Sequence, residues 1–95
     1  MVIIYDGDQE ISMKESDILH LDVLTAIRYY KMTEIYYSVV KKEYETTLGH
    51  SYLMLRDVIK EGRDLLFKRI EDEIGTDRAA IVAADILLKI RLSDD

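Results

Sequence analysis

The stretch Ala79 to Leu92 (Ala-Ala-Ile-Val-Ala-Ala-Asp-Ile-Leu-Leu-Lys-Ile-Arg-Leu) constrains the fold of this chain more than any other segment. Wound as a helix at about 100° per residue, it leaves only a narrow polar stripe of Arg78, Asp85 and Lys89, with Arg91 standing apart. A helix that is apolar nearly all round is enclosed on several sides or spans a membrane. A span needs about 20 apolar residues, and this stretch is shorter and carries charge. The sequence therefore predicts a buried helix over residues 77–92, enclosed by its own protomer or pressed against a second copy.

The chain of 95 residues reads as a single domain, 1–95. Apolar residues make up 48%, which favours a packed core over disorder. A core in so short a chain is modest, and self-association would add to it. The net charge of −6 argues against a general nucleic-acid binder, whose footprint is basic. Cysteine is absent, which removes disulfides, thiolate metal sites and a thiol nucleophile. Neither a leader pattern nor an 18-residue apolar run is seen, so a cytoplasmic protein with no membrane span is expected. Asparagine is absent and Gln9 is the single glutamine, a depletion shared with heat-adapted proteins.

With no proline, punctuation falls to Gly7, Gly49, Gly62 and Gly75. Residues 2–13 read as a β-hairpin. Val-Ile-Ile-Tyr is rich in strand formers, and Asp6-Gly7 suits a two-residue turn. In that register Tyr5 opposes Asp8 and Val2 opposes Ile11, with Val2, Ile4, Ile11 and Met13 on one face. An isolated hairpin is marginal, so it must dock on helices or pair with a strand from a second copy. Ser16 is placed as the cap of a helical segment over 17–48. Its apolar phase changes between Val23-Leu24-Ile27 and Tyr29 onward. Residues 17–48 are therefore one helix with two partners, or a helix pair kinked near 28–33 with Thr33 capping a fresh start. Gly49 closes the segment.

Ser51 is placed as the cap of the next helix, over 52–74. Gly62 lies on its apolar stripe of Met54, Leu55, Val58, Ile59, Leu65, Leu66 and Ile70. Mid-helix glycine costs about 1 kcal/mol relative to alanine. A close neighbour is therefore expected there, either another backbone or a tyrosine ring. Gly75 ends this helix and Thr76 caps the last one. The predicted fold class is mainly α, a short N-terminal β-hairpin followed by an antiparallel bundle of three to four helices.

Tyr29, Tyr30, Tyr36, Tyr37 and Tyr44 share about a third of one helix circumference. They form either a core face with hydroxyls at the rim or a contact surface, for which tyrosine is well suited. Base stacking would need a basic groove beside them, and none is evident. Arg56, Lys60 and Arg63 alternate with Asp57, Glu61 and Asp64, which reads as an ion-paired, solvated edge. Asp6-Gly7-Asp8 lacks the further ligands of a calcium loop. His20 and His50 have no metal-ligand spacing. No phosphate loop or Ser-His-Asp order occurs. No catalytic, metal or cofactor site is predicted. The expected function is a non-catalytic helical interaction and assembly module, a homodimer in the first instance. Its candidate interface is Tyr29, Tyr30, Tyr36, Tyr37, Tyr44, Ile81, Ile86, Leu88 and Leu92, with an unidentified protein as a further partner. The rival reading is a nucleic-acid-associated or regulatory protein.

One segment carries a family resemblance. Glu73, Ile74, Gly75, Arg78, Ile81, Ala83 and Ala84 resemble the short motif of the ZapA family of bacterial cell-division proteins, where an Ile-Gly-x-x-Arg turn leads into an alanine-containing helix. The hairpin with Gly7 is similar to that family's opening. The resemblance implies a dimerising head that binds the tubulin-like division protein. The middle of this chain is longer than in that family, and the family's long coiled coil has no counterpart in it.

Overall fold

The computed structural model describes the backbone of residues 1–47 and 50–93 and the side chains of residues 1–41 and 55–92. An antiparallel hairpin, β1 (Val2–Asp6) and β2 (Gln9–Met13), precedes four helices, α1 (Glu15–Leu19), α2 (Val23–Thr47), α3 (His50–Ile74) and α4 (Thr76–Ser93). The molecule is mainly α with an N-terminal β-hairpin.

The hairpin turns one residue later than the sequence suggests. Val2 pairs with Met13, Ile4 with Ile11 and Asp6 with Gln9, so the loop is Gly7-Asp8. Gly7 has φ 68°, the positive value that the first central position of a favoured hairpin turn requires. The expected pairings Tyr5–Asp8 and Val2–Ile11 are thus displaced by two residues. A one-residue slip would have exchanged the faces; a two-residue displacement preserves them. Val2, Ile4, Ile11 and Met13 do share a face.

Two helices, α2 and α3, cover the outer edge of β1. The Tyr5 N–H donates to Thr33 Oγ1 of α2 at 3.1 Å. The Ile3 carbonyl lies against Gly62 of α3, where a Cβ would strike the carbonyl oxygen and stand 3.0 Å from Ile4 Cγ2. The close neighbour at Gly62 is therefore a strand backbone, not a tyrosine ring. A strand edge left unpaired is a template for unwanted pairing, and here it is closed.

β1 also has both faces covered, which accounts for its unbroken run of apolar residues. On one side Val2 and Ile4 join Ile18, Ala26, Tyr30, Leu66, Ile70, Ala79 and Ile86. On the other, Tyr5 joins Val40 and Ile59. The strand is a wedge between two clusters.

The helix boundaries depart from the expected ones. α1 begins at Glu15 after Lys14, so Ser16 lies inside the helix and does not cap it. The break in the 17–48 segment falls at residues 20–22, not at 28–33. Asp22 starts α2: its carboxylate accepts from the Thr25 N–H at 3.2 Å and its carbonyl from the Ala26 N–H at 2.9 Å. Thr33 is fully buried inside α2 and caps nothing. α3 begins at His50, ahead of Ser51. The Gly49 stop lies outside the described residues. Gly75 (φ 90°) serves two helices at once, its N–H closing α3 on the Glu71 carbonyl and its own carbonyl accepting the first bond of α4 from Ala79. Gly75, not Thr76, is the N-terminal cap of α4.

α2 and α3 run antiparallel, with Tyr30 near Phe67, Glu34 paired to Arg63 and Val40 grouped with Ile59. The expectation of a buried helix over 77–92 needs correction within the protomer. α4 inserts Ala79 and Ile86 into the core, with Val82, Ala83 and Ile90 half-buried beside them. Ile81, Leu88 and Leu92 are 67%, 56% and 65% exposed. One lateral face of the helix is covered and the opposite face is open.

Candidate functional site

Of the nine residues singled out from the sequence, the eight with described side chains divide into three groups. Tyr30 and Ile86 are core residues. Tyr29, Tyr36 and Tyr37 are half-buried by contacts within the chain. Tyr36 stacks on Tyr5 with ring centroids 3.8 Å apart and planes 14° from parallel. Tyr37 lies beneath the Arg63 guanidinium, 4.6 Å from ring centre to carbon. The Tyr44 side chain lies outside the described residues. Only Ile81, Leu88 and Leu92 present most of their surface to solvent.

These three occupy one stripe. Taking about 100° per residue, Leu88 falls about 20° to one side of Ile81 and Leu92 about 20° to the other. The core-facing residues Ala79, Ala83, Ile86 and Ile90 lie on the far side of the helix. Ala84 borders the stripe and is exposed. On the other border Asp85 pairs with Lys89 at 3.0 Å across one turn, both well exposed. Scattered surface hydrophobics are ordinary, but a contiguous row bordered by charges marks a contact surface.

A second feature sits between α2, α3 and α4. Glu34 is 2% exposed and its carboxylate accepts from Arg63 Nε at 3.1 Å. The Tyr30 hydroxyl also reaches it. Burial raises the Glu34 carboxyl above its ordinary value, outweighing the Arg63 charge and the hydrogen bonds that pull it down. Burial likewise raises the Tyr30 hydroxyl, helped by the neighbouring Glu34 charge. A cleft of about 360 Å³ opens beside this group, bounded by Tyr37, Lys41, Leu87 and Arg91 among others. The group's geometry ties α2 to α3: the guanidinium joins a carboxylate on one helix to its own helix and covers a ring.

His20 Nδ1 is 2.6 Å from the Ser16 carbonyl, a local contact at the end of α1. The His50 side chain lies outside the described residues. Among the described residues no cluster of acidic groups and histidines is arranged to hold a metal ion. No described helix is long and apolar enough to cross a membrane.

Sequence reasoning missed the Glu34–Arg63 pair. Both residues sit among alternating charges, and nothing in their spacing says that one carboxylate of the set turns inward. It also missed Thr33 as a partner for the strand edge, since a hydroxyl inside a helix carries no signal of what meets it. No protein-family model matches the chain, and neither a curated protein nor a solved structure is significantly similar to it. The likeness of Glu73–Ala84 to the ZapA motif therefore rests on those residues and the hairpin alone.

Proposed function

We propose that this protein is a non-catalytic assembly module that self-associates through the open face of α4. The single observation that carries this reading is the row Ile81, Leu88 and Leu92 standing in solvent on a helix whose opposite face holds the core. Covering the exposed part of each large side chain contributes about 1–2 kcal/mol. Association itself costs several kcal/mol in lost freedom, about 4 or more. With three such side chains per copy the dimer is of modest affinity and forms with rising concentration. The tyrosine face has a smaller role in this reading, because its rings already pack on Tyr5, Arg63 and Phe67.

Sedimentation or light scattering over a hundredfold concentration range tests the reading. The wild-type mass is expected to rise from monomer toward dimer. Leu88→Asp is expected to hold it at monomer while helix content stays unchanged, since Leu88 is 56% exposed on the open face. A wild-type monomer at every concentration would remove the proposal.

A further inference from the structure

We infer that the partner on α4 is the same helix of a second copy, laid antiparallel, with the twofold axis passing near residues 86–87. The inference rests on the self-association reading above and adds the partner's identity and direction. Its basis is charge along the stripe. Asp77 stands at the N-terminal end of the row, Asp85 on its border between Ile81 and Leu88, and Lys89 and Arg91 toward its C-terminal end. In a parallel pair every residue meets its own copy. Asp85 would face Asp85 across the seam, and the two Asp77 carboxylates would lie together at one end. Like charges brought together and partly dried are strongly disfavoured.

Reversing one helix removes both conflicts. Ile81 then meets Leu92 of the other copy, at equal distances on either side of the axis. Asp85 comes within one position of the other copy's Lys89, so the ion pair now made inside one helix can be shared across the seam. The acidic first turn of each α4 points toward the basic last turn of the other, and the helix dipoles oppose. An interface of this kind is isologous and closes on itself, which limits assembly to a dimer. A partner of different sequence would have to reproduce both the row of apolar groups and the reversed order of charges. The chain itself already supplies them.

The absence of cysteine makes the direction directly readable. Ile81→Cys and Leu92→Cys are prepared as separate variants; both positions are about two-thirds exposed, so the fold tolerates the change. In the antiparallel pair the two Ile81 positions are about 16 Å apart along the axis, from 11 steps of 1.5 Å. A thiol crosslinker shorter than that, applied to each variant alone and to an equal mixture, gives the readout by mass spectrometry. Mixed dimers, joined from position 81 of one copy to position 92 of the other, are expected to exceed either like pair severalfold. Like pairs dominating would overturn the antiparallel arrangement while leaving self-association standing. A dimeric mass with no crosslink in any sample would place the contact elsewhere and overturn the α4 seam. A monomeric mass throughout would overturn the assembly reading itself.

Discussion

At the scale of single residues, Gly62 and Glu34 hold positions that neither hydropathy nor propensity explains. Alanine at 62 would gain about 1 kcal/mol in helix propensity. Its Cβ, however, must displace the Ile3 carbonyl, a backbone group that cannot swing aside. Gly62→Ala is therefore expected to destabilise by about 2 kcal/mol or more, lowering the melting temperature by roughly 8 °C or more. An unchanged melt followed by circular dichroism would refute the close approach. Glu34 makes a pH-dependent contribution. Its carboxyl is raised in the folded state, so protonation favours folding. That contribution is full below the ordinary value of 4.5 and is lost as pH climbs through the higher folded-state value. Glu34→Gln keeps a neutral group there at every pH. Its stability relative to wild type should therefore improve as pH rises above 4.5, as measured by urea unfolding at each pH. A difference that shrinks with rising pH would mean that the Arg63 charge outweighs burial.

At the scale of elements, the boundaries follow from capping and from the need to turn, more than from residue preference. The chain turns at residues 20–22 because Ile18 must reach the core and α2 must then run along β1. Arg69 secures this turn by donating from Nε to the Leu21 carbonyl at 2.8 Å. Asp22 supplies the cap. Asp22→Ala is expected to cost about 1 kcal/mol, a drop of roughly 4–8 °C in melting temperature. A drop well below that would show that Arg69, not Asp22, holds the junction. The hairpin and the amphipathic reading of α3 were legible from strand formers, Gly7 and the spacing from Leu55 to Ile70. The α1–α2 break was not, because His20-Leu21-Asp22 has neither glycine nor proline. The apolar phase change near Tyr29 left two readings open, a break near 28–33 or one helix with two partners, and α2 runs unbroken through those residues. Leu24 is simply exposed, while Ala26, Tyr30, Thr33 and Val40 carry the inward face.

At the scale of the whole molecule, the two hydrophobic clusters meet at β1, so the hairpin is structural and not an appendage. Ile4 belongs to one cluster and Ile59 to the other, and both are fully buried. Replacing either with alanine is expected to cost about 2–4 kcal/mol. Both variants should shift one common transition, with helix circular dichroism and the near-ultraviolet signal of the stacked Tyr5–Tyr36 pair melting together. Separate midpoints for the two probes would show that the clusters unfold independently. The sequence by itself determined the class of fold, the hairpin face and the unusually apolar α4, because periodicity and turn chemistry are local properties. Only the tertiary structure decided that Tyr30 is core, that Gly62 admits a strand backbone, that Glu34 turns inward, and which side of α4 stays open. Those outcomes depend on what lies opposite each residue in space. A helix apolar on most sides states how much surface it must hide, and only the positions of its neighbours state which part they leave for another molecule.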